Sequence, residues 1–254
     1  MLILLPPSEG KTPAPAGPPV DLASLSFPCL EVARKEVMEA LAEVSGRPDA
    51  LAALGVGASL AHDVERNRRL HAEPAAPAHQ VYSGVLYEAL GYGSLTPAQR
   101  ARAEEAVVVV SALWGAVGFG DAVPAYRLSM SVSLDGIGRL AAFWKPRLAE
   151  ALAERAAGEI VVDARSSTYA AAYAPPRAAT VTVDVLTERD GRRTVVSHFA
   201  KHHRGEFARH LLTRRGAEPA TPEDLLAVAR EKWNAELREG TARRPHSLAL
   251  ILEG

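Results

Sequence analysis

The stretch Ala106-Val107-Val108-Val109-Val110-Ser111 decides the fold of this chain. Four consecutive β-branched residues favour a strand, and the lack of a polar alternation indicates that both of its faces are covered. A charged helical segment precedes the run and Gly115 follows it, so we expect this strand to lie centrally in a sheet. The apolar run Met1-Leu-Ile-Leu-Leu5 is interpreted as a buried first strand that ends at Pro6 and Pro7.

Strands and helices alternate along the rest of the chain. Asp190-Gly191 indicates a hairpin turn, and Thr221-Pro222-Glu223-Asp224 is a capping box at a helix start. Further strands are predicted over residues 126–132, 159–163, 180–186, 193–197 and 247–252, and helices over residues 140–156 and 200–214. The pattern predicts a mixed α/β fold, with a central mixed sheet surrounded by helices. We expect one domain over residues 1–254, with a helical subregion over about 28–105.

The composition limits the classes of protein to which the chain can belong. Of its 254 residues, 48% are hydrophobic, so it can bury a sizeable core. Its 29 Lys and Arg against 30 Asp and Glu give a formal net charge of -1, which excludes a strongly basic coat but not a local basic face. No apolar window reaches transmembrane length. The single cysteine, Cys29, excludes an internal disulfide, so we expect a cytoplasmic protein without membrane contact, with Cys29 as a small core side chain.

The segment Leu51-Ala-Ala-Leu54-Gly55-Val56-Gly57-Ala58-Ser59-Leu60-Ala61 predicts two apolar helices that meet at a hairpin. It is similar to the helix-hairpin-helix element of nucleic-acid-binding proteins, whose glycines let the backbone approach a phosphate without reading sequence. On this interpretation Gly55 and Gly57 belong to an anion-binding site. The alternative is a glycine C-cap followed by a tight turn between helices, and the motif does not decide between the two.

The loop Pro7-Ser8-Glu9-Gly10-Lys11-Thr12 follows the first strand, the usual place for a ligand-binding loop at the carboxyl edge of a sheet. The first of the two glycines of a nucleoside-triphosphate loop is missing, so that fold is rejected. Lys11 is predicted either as a contact to phosphate or substrate, or as a solvated loop lysine.

Other candidate site residues come from separate parts of the chain. Tyr82 and Tyr87 either stack on a nucleobase and hydrogen-bond to it, or pack half-buried. Arg127 is a candidate anion-binding residue, and the alternative is an arginine that binds loop carbonyl groups. Asp163, at the end of a strand, is a candidate general base or ligand-orienting residue, together with Arg165.

The densest cationic stretch is Lys201-His202-His203-Arg204-Gly205-Glu206-Phe207-Ala208-Arg209. On a helix Lys201 and Arg204 share a face, so they are predicted to point together into a cleft, and the alternative is a solvated basic face. Adjacent histidines diverge on a helix and lack metal-ligand spacing, so no metal is predicted here.

Several segments carry a resemblance over nearly the whole chain. They are Pro7 to Thr12, Tyr82-x-Gly84-x-x-Tyr87, Ser111-x-Leu113-Trp114-Gly115, Asp121, Tyr126-Arg127-Leu128-x-Met130, Phe143-Trp144, Asp163 to Tyr169, and Lys201-x-x-Arg204-Gly205-x-x-x-Arg209. Taken in this order, they resemble the YaaA family of peroxide-stress proteins. The resemblance implies a helix-hairpin-helix-like element beside a positively charged cleft, DNA binding without marked sequence choice, and a role in limiting oxidative damage to DNA. It places Lys11, Arg127, Lys201 and Arg204 in the cleft.

Two positions depart from the family pattern. Gly118 stands in a Val117-Gly118-Phe119 run where the family commonly has an arginine, and Asp163 replaces an asparagine. Both are expected to lower the positive potential of the cleft and to weaken duplex binding.

Three hypotheses about function result. The leading one is a cytoplasmic stress protein that binds the DNA backbone through Lys11, Gly55, Gly57, Tyr82, Tyr87, Arg127, Lys201, Arg204 and Arg209. The alternative is an enzyme that acts on a small nucleobase-like or phosphorylated molecule in the same cleft, with Lys11, Asp163 and Lys201 as catalytic candidates. A third is a scaffold that binds partners through the tract Pro13-Ala-Pro-Ala-Gly-Pro18. No cofactor is predicted under any of them.

Overall fold

The computed structural model describes residues 1–189, 192–195 and 200–253. The strands are β1 Leu2–Leu5, β2 Ala76–Pro77, β3 Val107–Ser111, β4 Gly115–Gly118, β5 Ala122–Val123, β6 Ser133–Leu134, β7 Gly138–Arg139, β8 Val161–Asp163, β9 Thr180–Arg189, β10 Arg192–Val195, β11 Asn234–Arg238 and β12 His246–Glu253. The α-helices are α1 Glu31–Ser45, α2 Ala50–Ala53, α3 Ala61–Asn67, α4 Ala78–Val81, α5 Val85–Leu90, α6 Pro97–Ala106, α7 Leu140–Ala151, α8 Ser167–Ala170, α9 Ala200–Thr213 and α10 Pro222–Ala229.

The main sheet has eight strands in the order β11-β12-β9-β8-β1-β3-β4, and β10 pairs with β9. Strands β3, β1, β8, β9 and β12 run parallel to their neighbours in this series. Strands β4, β10 and β11 are antiparallel to the strands they pair with. The predicted mixed α/β fold with a central mixed sheet is therefore confirmed.

Both predicted apolar strands are buried on both faces. All four side chains of β1 are inaccessible to solvent, although successive side chains point to opposite faces of the sheet. Every residue of β3 is buried as well. However, β3 lies beside the edge strand β4, whereas β8 occupies the middle of the order. A run of β-branched residues thus predicts that both faces of a strand are covered. It does not predict the position of that strand in the sheet.

The prediction of a strand over residues 126–132 is wrong. The backbone N–H and carbonyl of Arg127 bind the side-chain amide of Asn67, at 2.9 Å each, so they do not pair with a neighbouring strand. The prediction for residues 140–156 is too long, because α7 ends at Ala151 and turns follow it. Cys29 is exposed rather than in the core, since the 3-10 turn Pro28–Leu30 buries Leu30 instead.

Several local signals are confirmed in detail. The Thr221 hydroxyl accepts a hydrogen bond from the Asp224 N–H, and the Asp224 carboxylate accepts one from the Thr221 N–H. Strands β9 and β10 pair as the predicted hairpin, while the turn residues Asp190 and Gly191 lie outside the described residues. Within the described ranges, no helix has the length and apolar character needed to cross a membrane.

Candidate functional site

The carboxyl ends of three neighbouring parallel strands meet at one edge of the sheet, and the candidate site lies outside this edge. Strand β1 lies between β8 and β3, so the chain leaves β1 toward β3 on one side and later returns to β8 on the other. Such a reversal of strand order is a topological switch point, where open α/β sheets bind ligands. Leu5, Ser111 and Asp163 end the three strands, and the loop that follows β1 carries Lys11.

The first of two cavities at this edge, here called the Lys201 cavity, has a volume of about 370 Å³. Gly205 of α9 lets this helix pack closely on α5, because a Cβ at this position would lie 2.1 Å from the Leu86 carbonyl oxygen. The close packing brings Lys201, one helical turn before Gly205, to the start of α5. The lining consists of Pro6, Pro7, Ser8, Glu9, Gly10, Ser83, Gly84, Val85, Leu86, Tyr87 and Lys201.

The second cavity, here called the Arg127 cavity, has a volume of about 460 Å³ and a more polar lining. Its walls are the turn after α2 and the segment that follows Arg127. Glu9 lines this cavity and also the Lys201 cavity, so the two cavities are neighbours across the β1 loop. The lining consists of Glu9, Ala52, Ala53, Leu54, Gly55, Val56, Arg127, Leu128, Ser129, Ser131, Val132 and Ser133.

An ion pair stands where the two cavities meet. Arg127 Nη2 lies 2.8 Å from Glu9 Oε2, and Arg127 Nη1 donates to the Glu9 carbonyl oxygen at 2.9 Å. The Glu9 side chain is 53% exposed and that of Arg127 is 18% exposed, so water reaches the carboxylate. Asn67 is buried at the end of α3, and its side-chain amide holds the Arg127 backbone through two hydrogen bonds. Arg127 is therefore held in place while its carboxylate partner remains exchangeable.

Lys11 belongs to the loop that follows β1, and its side chain lies against the buried ring of Tyr126. Its Nζ donates to the Ser8 carbonyl oxygen at 2.7 Å and lies 4.2 Å from the centre of the Tyr126 ring. Burial lowers the pKa of the Lys11 amine to about 7, and it outweighs the opposing effect of the Glu9 carboxylate; the nearby Arg127 charge lowers the pKa further. A substantial fraction of Lys11 is therefore neutral near pH 7.

Tyr82 and Tyr87 are packed against this edge rather than exposed on it. The hydroxyl of Tyr82 lies 3.3 Å from that of Tyr126, which lies 2.7 Å from Ser111 Oγ. Tyr87 donates to the Pro6 carbonyl oxygen at 2.7 Å, and its ring stacks with Tyr82. Burial raises the pKa of Tyr82 to about 12 and raises that of Tyr126 as well, so these phenols stay protonated at neutral pH.

Asp163 forms a buried ion pair with Arg165. The guanidinium donates to both carboxylate oxygens, with Nε–Oδ1 at 2.8 Å and Nη2–Oδ2 at 2.7 Å. It also donates to the Tyr169 and Tyr173 carbonyl oxygens, and so it holds α8 to the end of β8. The geometry gives Asp163 a structural part, and Arg165 neutralises the charge that was expected to lower the potential of this edge.

The three cations predicted on α9 have different environments. Lys201 is exposed and lines its cavity. Arg204 Nε donates to the Val183 carbonyl oxygen at 2.9 Å, and burial lowers its pKa. Arg209 Nη1 donates to the Leu90 and Gly91 carbonyl oxygens and thereby caps α5. Lys201 and Arg204 thus do not present a joint cationic face, because the Arg204 guanidinium binds a backbone carbonyl within β9.

The turn after α2 has the bonds of a Schellman C-cap. Gly55 adopts a left-handed φ of 65°, its N–H donates to Ala52, and the Val56 N–H donates to Leu51. The glycine C-cap alternative therefore describes Gly55. Gly57 has an ordinary extended φ of -81°, and a Cβ there would meet nothing within 4 Å. The fold therefore does not require a glycine at position 57, and the space beside the Gly57 Cα is open.

Gly118 lies away from the candidate site. It pairs with Val108 near the start of β3, whereas Gly115 pairs with Ser111 at the carboxyl end. The two pairs are three residue steps apart along the strand, or roughly 10 Å. The expectation that Gly118 removes a charge from this edge is therefore wrong.

The described residues contain no group of three His, Cys, Asp or Glu side chains arranged to hold a metal ion. His202 and His203 both contact Glu206, with nitrogen–oxygen distances of 3.5 and 2.8 Å.

Sequence reasoning missed three features of this candidate site. Glu9 stood in the loop motif without a role, although its carboxylate pairs with Arg127. Asn67 carried no signal, because only its tertiary position shows that it anchors Arg127. Ser129, Ser131 and Ser133 alternate along the sequence, which is the one local sign that they could line a common wall.

Comparisons with known proteins give a consistent result. The sequence profile of the family described as "Peroxide stress protein YaaA" matches residues 1–238. A UPF0246 protein of Streptomyces coelicolor is 41% identical over 259 residues, which covers 99% of this chain and 98% of the relative. A UPF0246 protein of Corynebacterium efficiens is 41% identical over 255 residues, covering 99% of this chain and 100% of the relative.

Proposed function

The chain belongs to the peroxide stress protein YaaA family, and from this premise we propose that it acts in the stress response by binding the phosphate backbone of DNA. The binding site is the sheet edge that carries the Lys201 and Arg127 cavities. Backbone contacts give binding without strong sequence preference. The proposed place of action is the cytoplasm.

One observation carries this proposal: groups from distant parts of the chain gather at a single edge. Glu9 lines both cavities, and they also include Lys201, Arg127 and the turn after α2. Exposed Lys201 is suited to bind a phosphate as a point charge, and Arg127 to bind one through two parallel hydrogen bonds. Gly57 leaves room for close approach of a backbone, as a helix-hairpin-helix-like contact requires.

The other predicted contacts add less positive charge. Arg204 and Arg209 donate to carbonyl oxygens of the fold, and Lys11 is only partly protonated near pH 7. We therefore expect few phosphate contacts and a modest, salt-sensitive affinity.

The test is a titration of labelled single-stranded, bubble and duplex oligonucleotides, followed by fluorescence anisotropy at several salt concentrations. Lys201→Gln and Arg127→Gln should each weaken binding to all sequences and reduce the salt slope by about one. Lys232→Gln removes an exposed lysine that lines neither cavity and serves as the matched control. Absence of binding to all three oligonucleotides at low ionic strength would refute the proposal.

A second candidate function is an enzyme that acts on a small nucleobase-like or phosphorylated molecule. The observation that favours it is the size of the two cavities, about 370 and 460 Å³, at a topological switch point. Thermal shifts with nucleobases, nucleotides and oligonucleotides separate the two functions. Stabilisation by the small molecules alone favours the enzyme, and stabilisation by the oligonucleotides alone favours DNA binding.

A further inference from the structure

We propose that a third cavity, at the opposite edge of the main sheet, binds a terminal phosphate group. This cavity, here called the Arg244 cavity, has a volume of about 380 Å³. Arg177, which lines it, directly precedes β9, and His246, which also lines it, is the first residue of β12. Because β9 and β12 run parallel to β8 and β1, their amino ends lie at the edge opposite the candidate site. The proposal is therefore independent of the proposed function.

The lining of the Arg244 cavity is cationic. Arg177 and Arg244 carry fixed positive charges, and His246 adds a third nitrogen side chain. Among the described residues no Asp or Glu lines this cavity, whereas Glu9 lines both cavities of the candidate site. Within the described ranges neither arginine is paired with a carboxylate, in contrast to Arg127. An anion that enters the Arg244 cavity thus meets no competing carboxylate.

The loop between β11 and β12 folds back tightly and fixes the place of Arg244. The Thr241 N–H donates to the Arg244 carbonyl oxygen at 2.8 Å, and the Arg244 N–H donates to the Thr241 carbonyl oxygen at 3.2 Å. A Cβ at Gly240 would lie 2.9 Å from both the Arg244 carbonyl oxygen and the His246 nitrogen. A glycine at position 240 therefore permits the close approach that brings Arg244 beside the start of β12.

Arg177 reaches the same cavity from a separate part of the chain. It begins the short 3-10 turn Arg177–Ala179 before β9. The Ala179 N–H and the Thr180 hydroxyl both donate to the Pro176 carbonyl oxygen, at 3.2 and 2.7 Å, and hold this turn. The pairing of His246 with Val181 then sets the turn beside the β11–β12 loop. Two arginines that are far apart in sequence thus line one wall-to-wall space.

Two further groups of the cavity can donate hydrogen bonds. The Gly240 N–H donates to His246 Nδ1 at 3.2 Å, so Nε2 is the nitrogen that carries the hydrogen of the imidazole. The Thr241 hydroxyl oxygen accepts from the Arg243 and Arg244 N–H groups, at 3.2 Å each, and its own hydrogen stays available. The donor set therefore consists of two guanidinium groups, one imidazole N–H and one hydroxyl.

This donor set matches a terminal phosphate better than other common anions. A terminal phosphate presents three free oxygens and carries close to two negative charges near neutral pH. A backbone phosphodiester carries a single charge, and the two oxygens of a carboxylate are satisfied by one guanidinium. The volume leaves room for a small attached group. The ligand is therefore a small phosphorylated molecule or the phosphorylated end of an oligonucleotide, which share this chemistry.

The test is arginine labelling of the full-length protein by phenylglyoxal in the presence of pyrophosphate, followed by tandem mass spectrometry of its peptides. Arg177 and Arg244 are exposed and should lose reactivity with one common midpoint. At a pyrophosphate concentration about ten times this midpoint, both should react roughly tenfold more slowly. Sodium chloride at equal ionic strength corrects for screening. Arg127 is read from the same spectra, so pyrophosphate at the candidate site is not confused with binding here.

Arg243 is the matched control for this experiment. It is exposed in the same loop as Arg244 but does not line the cavity, so its labelling should not change. Arg177→Gln should raise the pyrophosphate midpoint at Arg244 by roughly tenfold, because it removes charged donors from the shared ligand. Arg243→Gln should leave that midpoint unchanged. The wild-type measurement does not depend on the folding of either variant.

Oligonucleotides distinguish the two sources of the phosphate. Protection by pyrophosphate alone indicates a small phosphorylated ligand, and added protection by a 5′-phosphorylated oligonucleotide indicates a phosphorylated end. Equal protection by the same oligonucleotide with a 5′-hydroxyl would overturn the assignment to a terminal phosphate. Absence of protection by pyrophosphate, equal protection of Arg243, or different midpoints at Arg177 and Arg244 would overturn the site itself.

Discussion

Two ion pairs at the same sheet edge differ in exposure and therefore in what they can do. In the Asp163–Arg165 pair the two side chains are 6% and 0% exposed, and the guanidinium also binds two carbonyl oxygens. In the Glu9–Arg127 pair they are 53% and 18% exposed. A buried pair cannot lose a partner without leaving an uncompensated charge, whereas water or a ligand can replace a partner at the rim. The buried pair therefore holds the edge together, whereas the rim pair is open to exchange with water or a ligand.

Breaking the buried pair should have the largest effect. Asp163→Ala leaves Arg165 buried without its carboxylate and should lower the free energy of unfolding by about 3–5 kcal/mol. Urea denaturation measures the change. Glu9→Ala, the same truncation at the rim, should cost about 1 kcal/mol or less. Equal losses in the two variants would remove the distinction between the pairs.

The wall of the Lys201 cavity depends on packing rather than on charge. Gly205→Ala places a methyl group against the Leu86 carbonyl oxygen, which should force α5 and α9 apart and cost about 1–3 kcal/mol. Gly93→Ala is the matched control, because a Cβ there has no atom within 4 Å. The melting temperatures of both variants measure the effect. An unchanged melting temperature for Gly205→Ala would show that α5 and α9 do not pack as closely at Gly205 as the structure indicates.

The wall of the Arg127 cavity includes a turn in which two glycines have different roles. Gly55→Ala forces a left-handed φ on a residue with a side chain and should cost about 1 kcal/mol. Gly57→Ala should leave stability unchanged, since its φ is ordinary and its surroundings are open. If the turn binds phosphate, Gly57→Ala should bind oligonucleotides more weakly at unchanged stability. Gly55→Ala cannot test this, because its loss of stability would also affect binding. A stability loss at position 57 equal to that at position 55 would disprove the assignment.

Weakening the rim pair should have the smallest effect on stability and a favourable one on binding. Glu9→Gln removes the charge that competes with a ligand for Arg127, so the affinity for pyrophosphate should rise by up to about fivefold, equivalent to about 1 kcal/mol. Isothermal titration calorimetry measures it. Glu65→Gln breaks another exposed pair, with Arg68, whose residues line neither cavity, and should change nothing. Unchanged or weaker binding in Glu9→Gln would show that Arg127 is not the anion-binding group.

Much of the fold could be predicted from local patterns. The runs in β1 and β3 showed burial on both faces, and Thr221 showed a helix start, because these signals depend on neighbours in sequence. The strand expected over residues 126–132 is absent because Asn67, 60 residues from Arg127 in sequence, binds the Arg127 backbone that a neighbouring strand would have paired with. No local pattern reports such a partner.

The sequence predicted which residues lie near the candidate site better than it predicted what each of them does. Lys11, Arg127 and Lys201 do lie at one edge of the sheet. The place of Lys11 after the first strand and that of Lys201 on α9 suggested this, whereas Arg127 was placed in a strand that the structure does not contain. Arg204 and Arg209 belong to the same basic stretch, yet they bind carbonyl oxygens. Their types and spacing match those of ligand-binding cations, so the sequence could not distinguish the two uses.

The amino-acid sequence by itself determined the buried strands, the helix starts and the loop that follows β1, since hydrophobic periodicity, capping residues and proline act over a few residues. Only the tertiary structure decided which charges are paired, which remain open to a ligand, and how far burial shifts the pKa of Lys11. Those properties depend on the distance and solvent access between groups far apart in the chain, and the packing of helices on the sheet sets both.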